Sequence, residues 1–428
     1  MITLQGCLTS FEIFRMKHFI IACLVLLAGL SGFAQKTRKT VFVIADGIPF
    51  DMIHLDALDN FRKISSQGGF NRALVGGEKG TYNETPTISA VGYNSVLTGT
   101  WVNKHNVWDN DIAAPNYSYP TIFRLCKEQY PQKKTAVFSS WLENRTLLVG
   151  DGLPATGSFK VDFKLDSLER DTIQYPHDKQ RDFMHRIDER VSKEAERVIR
   201  DQAPDLSWVY LEYTDDMAHR HGNSPEFEQA IRYTDEQVGR IWNAIQYREQ
   251  QFNEEWLLIV TTDHGRDSVT GHNHGGQSAR EKSGWILTNA KDLNDRFTNG
   301  NAQIVDIMPS IARFMNIQVP AAIAREVDGV PLIGKLSLVG PSVSLNGKKA
   351  VLTWKPVQKK GKVEIWGSAT NNFKKGSPDE YRLLKTTQLK KGRAVIQLAD
   401  DYQGYYKFTI EGKYNAVNRW LTPLTKPD

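Results

Sequence analysis

Three apolar runs of this chain end in acids and histidines. In VFVIADGIPFD the run Val41–Ala45 stops at Asp46, and in WVYLEYTDDMAHRHG Asp215 and His219 stand four apart just past a strand-like run. In LLIVTTDHG the run closes on Asp263 and His264, and GHNHGG then adds His272 and His274. Such side chains cost free energy to bury unless they are paired, hydrogen-bonded or bound to a metal. One Asp-Gly after a strand is an ordinary turn. Three such exits on one sheet would instead gather Asp46, Asp215, His219, Asp263, His264 and one later histidine at a single edge. Mixed carboxylate and imidazole ligands suit zinc or a similar first-row divalent ion, and six are enough for two ions with open positions. Two ions ~4 Å apart can hold both the attacking and the leaving oxygen of an in-line phosphoryl transfer.

Such a centre needs a nucleophile, and NETPTISAVGYNSVLTG, residues 83–99, is rich in hydroxyls and small residues. The same composition would suit a tightly packed helix start. The order of motifs decides between them: D-G after the first strand, P-T-x-[ST]-x-x-G about forty residues on, then L-T-G…H…N, D-x-x-x-H, D-H-G and a final His. This order resembles the alkaline phosphatase superfamily, and within it the type I phosphodiesterase/nucleotide pyrophosphatase group and its allied phosphatases. The resemblance runs from about Lys39 to Leu332. It implies a nucleophile at Ser89 in PTISAVGY, lying between two divalent metals, expected to be Zn2+. It also implies Asp215, His219 and the late histidine on one metal, and Asp46, Asp263, His264 and the Ser89 oxygen on the other. Gly275-Gly276 lets the backbone bend closely around an ion, and the family's last ligand is followed by Gly, so His274 is the expected late histidine and His272 the alternative.

Asn110, five residues beyond His105, matches the asparagine with which the family donates to a phosphoryl oxygen. Arg145 is a second candidate clamp, because a guanidinium binds a phosphoryl group bidentately. Related monoesterases place a lysine near Glu143, and an acid there would disfavour a dianionic monoester, so diesters or pyrophosphates are the expected substrates. Tyr93, Trp101, Trp108 and Trp141 flank the motifs and could stack on a flat leaving group, although most aromatics so spaced are core.

The elements that must carry these residues alternate. Candidate strands are Thr40–Ala45, Thr135–Ser139, Leu206–Tyr213, Trp256–Thr261 and Gly284–Leu287; helical spacing covers Tyr119–Tyr130, 178–201, Ser224–Gln250, with Ser224 as N-cap and Pro225 at N1, and Ile304–Met315. This alternation predicts an α/β fold, a mostly parallel central sheet with helices on both faces, alkaline-phosphatase-like by the resemblance, with ligands at the carboxyl ends of the strands. After Gly334, AVLTWKPV, KVEIWGS, AVIQLAD and YYKFTIEG predict a small all-β sandwich of the fibronectin-III-like kind over 335–428.

MKHFIIACLVLLAGLSGFAQ has the positive start, short apolar run and small residues of a secretory signal peptide. The expected organisation is therefore a signal peptide over 1–34, with Met16 the better start, a catalytic domain over 35–334 and the β-sandwich. Export to the periplasm or medium follows, with no membrane span. Only Cys126 of the three cysteines lies beyond the leader, so no intrachain disulfide is expected. Residues 335–428 carry 18 Lys and Arg against 7 Asp and Glu, while the catalytic stretch is net acidic. That basic tail motivates contact with an anionic glycan or cell surface. The expected function is an exported two-metal hydrolase of phosphate esters, a phosphodiesterase or nucleotide pyrophosphatase acting through a phosphoserine on Ser89. The alternatives are an alkaline-phosphatase-like monoesterase, a sulfatase, whose Pro and Arg are missing after Ser89, and a non-catalytic surface-binding protein.

Overall fold

The computed structural model describes residues 36–399 and 402–422. The expected signal peptide, with Met16 and its cleavage site, lies outside the described residues. Eight strands form the central sheet: β1 (Thr37–Ala45), β2 (Gly69–Leu74), β3 (Thr135–Phe138), β4 (Phe163–Leu165), β5 (Leu206–Leu211), β6 (Glu254–Thr261), β7 (Ser283–Thr288) and β8 (Ala302–Gln303). Their order is β4-β3-β5-β1-β6-β7-β2-β8, parallel except that β7 runs antiparallel to both β6 and β2. In β1, Phe42 and Ile44 enter the core on one face while Val41, Val43 and Ala45 enter the core on the other. Burial on both faces is why this strand reads as an unbroken apolar run rather than an alternation.

The helices that matter for position are α1 (Asp59–Ser65), α2 (Ser89–Thr98), α3 (Ile122–Gln129), α4 (Asp182–Gln202), α5 (Tyr213–His221), α6 (Pro225–Gln251) and α7 (Ile307–Phe314). Helices α2, α3 and α7 pack into one core, and α1, α4 and α6 into the other, so both faces are covered. Ser224 caps α6 by accepting from the Phe227 N–H at 3.2 Å, with Pro225 at the first helical position. The predicted strand Leu206–Tyr213 stops at Leu211, because Tyr213 already opens α5. The strands β2, β4 and β8 carry too short or too polar a pattern to announce themselves.

Two helices deliver the chemistry. All ten residues of α2 are buried, and its Gly92 lies so close to the turn after β6 that a Cβ there would meet the Asp263 carbonyl oxygen at 2.7 Å. The small residues of the hydroxyl-rich segment are therefore a packing requirement as well as a chemical one. Helix α5 is anchored by Asp188 of α4, whose carboxylate accepts from the Glu212 N–H at 2.9 Å and the Tyr213 N–H at 2.8 Å. Burial pushes the Asp188 carboxyl up to about 8 against those two bonds.

Beyond Gly334, β9 (Leu338–Asn346), β10 (Lys349–Pro356) and β13 (Arg393–Gln397) form one antiparallel sheet. A second contains β11 (Lys362–Ser368), β12 (Arg382–Gln388), β14 (Tyr406–Glu411) and β15 (Ala416–Leu421). The two sheets enclose their own core around Trp354, Ile365 and Phe408, which Val330 and Leu336 also enter. Among the described residues no helix is long and apolar enough to cross a membrane.

Two outcomes follow from this packing. Gly92→Ala is expected to destabilise the fold by about 1–3 kcal/mol through overpacking, read by urea unfolding. The unfolded chain ionises Asp188 at the ordinary carboxylate value, ~4, whereas the fold retains the proton up to about 8. Folding takes up a proton in between, so the contribution of Asp188 falls as pH rises through that window. Asp188→Asn, which can keep both short bonds through one oxygen, is expected to gain on the wild type in melting temperature as pH rises from about 4 to 8; a pH-independent difference would refute this.

Candidate active site

The carboxyl ends of β1 and β6 meet the start of α5 at one point. Asp46, the residue after β1, is 1% exposed, and its Oδ2 accepts from the Tyr210 hydroxyl at 2.7 Å and from the Tyr93 hydroxyl. Its backbone carbonyl accepts from Thr214 Oγ1 at 2.6 Å, which ties the β1 exit to α5. Gly47 follows with φ +67, its N–H donating to Asp263 Oδ1 at 3.1 Å. A Cβ at Gly47 would strike the Asp215 carboxylate at 2.7 Å and the Arg266 guanidinium at 2.3 Å, so both the backbone conformation and the space require glycine.

Around these turns His264, His274 and His219 bring their Nε2 atoms toward the acids. His264 Nε2 lies 3.3 Å from Asp46 Oδ1, 3.2 Å from Asp263 Oδ2 and 3.9 Å from Asp215 Oδ1. Its Nδ1 sits 3.0 Å from the Gly265 carbonyl, and His274 Nδ1 sits 2.9 Å from the Thr87 carbonyl. A carbonyl accepts only, so each Nδ1 carries the proton and each Nε2 presents its lone pair to the acids, the tautomer of a metal ligand. His274 Nε2 is 3.0 Å from His219 Nε2, and His219 Nε2 is 3.3 Å from Asp215 Oδ2. His272 turns away, its Nδ1 2.8 Å from the His219 carbonyl. His274 is thus the late histidine that joins the group.

Ligand atoms converge in two sets, Asp215 with His219 and His274, and Asp46 with Asp215 and His264. Asp215 belongs to both: its Oδ2 lies 3.3 Å from His219 Nε2, and its Oδ1 lies 3.9 Å from the Nε2 of both His264 and His274. Asp46 Oδ1 and Asp263 Oδ2 are fully buried with no hydrogen-bond partner. Buried carboxylate oxygens are rarely left so, and the donor set and tautomers fit divalent cations in both positions.

Ser89 is the first residue of α2, with its Oγ 3.3 Å from His264 Nε2. The positive end of the helix therefore faces the acids. Asn110 accepts the Ala90 N–H through Oδ1 at 3.0 Å, which ties it to the first turn of α2 and leaves its NH2 group as the donor end.

The other expectations separate here. The guanidinium of Arg145 is committed to Asp151 and Asp166, neither of them a site residue. Glu143 pairs with Arg170, so the acid-for-lysine argument for diesters loses its footing. Of the aromatics, Trp101 is core at 1% exposure, Trp141 packs against the core, Tyr93 holds Asp46, and Trp108 remains 42% exposed. Sequence reasoning missed Arg266, fully buried, whose Nε donates to the Gly47 carbonyl at 3.0 Å and whose Nη2 donates to the Asp215 carbonyl at 3.1 Å and to its carboxylate. Its only signal was its place two residues after His264.

The electrostatics express the crowding. Burial, then the Asp215 charge, push the Asp46 carboxyl up to about 7 against the tyrosine hydrogen bonds and Arg266. Burial and Asp46 raise Asp263 well above the carboxylate range, and burial, then His274, push His264 well below the usual histidine value. Burial also acts to raise Asp215, but Arg266 and the His219 hydrogen bond outweigh it and hold that carboxyl below its usual range.

Comparison with known proteins adds the family. A stretch of 123 residues is 24% identical to the 2,3-bisphosphoglycerate-independent phosphoglycerate mutase of Mycoplasma mycoides, and spans only 22% of that relative's length and 28% of this chain. The murine ectonucleotide pyrophosphatase/phosphodiesterase 5 in complex with AMP aligns over 66% of this chain and 96% of its own at 14% identity, with TM-score 0.46. A protein of the alkaline phosphatase superfamily from Vibrio parahaemolyticus aligns over 86% of this chain and 83% of its own at 13% identity, also with TM-score 0.46. The type I phosphodiesterase/nucleotide pyrophosphatase family model matches residues 40–330, the whole stretch that carries the acids, the histidines and Ser89, and the chain belongs to that family.

Proposed function

We propose that the chain is an exported metal-dependent hydrolase of phosphate diesters or pyrophosphates, with Ser89 as the nucleophile. One observation carries the reading: Ser89 Oγ opens a buried helix 3.3 Å from His264 Nε2, facing carboxylates of which two oxygens are buried without a partner. Asp46, Asp263 and His264 would hold one divalent cation, Zn2+ by donor chemistry, and Asp215, His219 and His274 the other, with Asp215 between them. Bound there, the cations would supply a lowered pKa for the Ser89 hydroxyl and charge compensation for the phosphoryl oxygens.

The chain's own residues do the rest. Ser89 attacks phosphorus in line, its O–P bond forming as the bond to the leaving oxygen breaks, and the phosphoserine is then hydrolysed by water to free Ser89. The Asn110 NH2 group donates to a phosphoryl oxygen, its orientation fixed by the Ala90 N–H. Tyr93 and Tyr210 keep Asp46 turned toward His264, and Arg266 locks Asp215 to the Gly47 turn. Arg145 takes no part, its donors being engaged elsewhere. Preference for diesters rests on the family rather than on Glu143. Export rests on the leader at the N-terminus of the sequence.

Ser89→Ala is expected to lower turnover of bis(p-nitrophenyl) phosphate by about a thousandfold or more while retaining bound divalent metal. Full activity in this variant, or wild-type protein without metal by elemental analysis, would sink the mechanism. Faster turnover of p-nitrophenyl phosphate or of the sulfate than of the diester would reassign the substrate. His274→Ala is expected to lose one metal equivalent and His272→Ala to keep both; the reverse would move the last ligand to His272.

A further inference from the structure

The cations of the C-terminal β-unit are unevenly placed. Residues 335–363 and 382–399 contain no Asp or Glu, and the fold brings the most basic parts of both stretches to one tip. Lys359, Lys360 and Lys362 lie in and beside the connection from β10 to β11. Lys390, Lys391 and Arg393 lie in and beside the connection from β12 to β13, and all six side chains are exposed. The Leu389 N–H donates to the Gly361 carbonyl at 3.0 Å, and Lys362 pairs with Gln388 across β11 and β12, so the two connections run side by side. Buried Trp354 pins the second, its indole Nε1 donating to the Leu389 carbonyl at 2.8 Å and its backbone N–H to the Gly392 carbonyl at 3.0 Å. The ion pairs of this unit, Arg325–Glu411, Lys407–Asp379 and Arg419–Glu78, use none of the six. Like charges gathered in this way repel one another, and an anionic partner would relieve the repulsion.

The tip stands at the end of the molecule remote from the acids and histidines. The Val357 N–H donates to the Ser337 carbonyl at 2.8 Å, Arg313 donates to the Lys335 carbonyl at 2.8 Å, and Arg38 donates to the Phe314 carbonyl at 3.3 Å. Arg38 is the second residue of β1 and Asp46 follows its last, so a rise of ~3.3 Å per residue separates the two ends by about 26 Å. The described chain enters at this same remote end, at Lys36, and the apolar run Phe19–Leu30 precedes it by a few residues of sequence.

Three features select the partner. Five of the six cations are lysines. A guanidinium suits bidentate capture of a sulfate or carboxylate at a fixed place, whereas an ammonium is a point charge and suits a diffuse anionic plane. The large apolar side chain exposed in the first connection is aliphatic, Val357 at 42%, as fits the boundary between headgroups and acyl chains. No aromatic of 335–399 is exposed to stack on a sugar ring: Trp354 is buried and Trp366 lies under the Arg325 guanidinium. Because the catalytic stretch is net acidic, an anionic surface that attracts the tip repels the remainder of the protein and so orients it.

We infer that this tip is a docking surface for an anionic phospholipid membrane, on which the protein sits with its acids and histidines turned away from the lipid. The attraction is electrostatic and is screened beyond a Debye length, ~8 Å at physiological salt. The inference is independent of the hydrolase reading, since it uses the six cations and the position of the tip rather than any chemistry at Ser89.

The test is co-sedimentation of exported protein with vesicles of phosphatidylcholine alone or of equal parts phosphatidylcholine and phosphatidylglycerol, after intact mass has confirmed an N-terminus beyond the apolar run. Binding is expected to the mixed vesicles at about 0.05 M salt and is expected to be lost at about 0.5 M. Near such a surface each cation is worth about fivefold in partitioning. Lys359→Glu, Lys360→Glu, Lys390→Glu and Lys391→Glu together are therefore expected to raise the lipid concentration for half-binding by more than about a hundredfold. Lys359→Gln with Lys390→Gln is expected to raise it about 25-fold and covers the case in which the fourfold variant does not fold. Lys374→Glu with Lys375→Glu, in the loop at the other end of β11, is expected to stay within about fivefold of wild type. Binding to the mixed vesicles no stronger than to phosphatidylcholine alone overturns the inference, as does undiminished binding of the tip variants. Retention on heparin that the tip variants lose, without binding to the mixed vesicles, overturns it in favour of a sulfated polysaccharide.

Discussion

Three carboxylates buried within reach of one another are the constraint on which this site depends. Asp46, Asp215 and Asp263 cannot all be charged in a low-dielectric interior without compensation, and the surrounding structure distributes that compensation unevenly. Arg266 serves Asp215, the hydroxyls of Tyr93 and Tyr210 serve Asp46, and the Gly47 N–H serves one oxygen of Asp263. What remains are two oxygens with no hydrogen-bond partner, Asp46 Oδ1 and Asp263 Oδ2, both facing the lone pair of His264 Nε2. On the proposed reading, cations rather than further protein hydrogen bonds would complete a site this far from neutrality.

The fold answers that constraint by stiffness. The acids stand at the exits of the two central parallel strands and on the helix beside them, where backbone register along β1 and β6 leaves little freedom. Helix α2 is wholly buried and α5 is fixed at its first turn by Asp188, so neither helix can drift to relieve the crowding. Positioning of this kind lets electrostatic groups act without reorganising at the moment of reaction. The same stiffness extends to the C-terminal unit, where the loop over residues 370–379 is braced by the Lys407–Asp379 pair and by Glu326, which accepts the Asp379 N–H.

Much of this was legible in the sequence. The strand–turn exits at Asp46 and Asp263, the helical spacing of Asp215 and His219, the cap at Ser224 and the β-rich texture after Gly334 are local patterns, and local physics governs them. Elements failed to announce themselves where tertiary contacts supply the stability: β8 has two residues, and α2 is buried all round, so it has no polar face to mark its period. The Leu206–Tyr213 run overshot because apolar residues continue past the point where Asp188 turns the backbone into a helix.

By itself, then, the sequence determined the inventory: which acids and histidines leave which strands, which serine stands in the hydroxyl-rich segment, and which family order they follow. The tertiary structure alone decided how each group is used. Arg145, in the short helical segment Asn144–Val149, and Arg266, in a loop, both stand near the motifs, yet one is neutralised by Asp151 and Asp166 while the other is threaded into the site. Tyr93 and Trp108 both flank a motif, yet one supports Asp46 and the other stays 42% exposed with its ring against that of Phe373. These outcomes depend on partners remote in the chain, and the pairwise energies that settle them act through space, with no trace in the spacing of neighbouring residues.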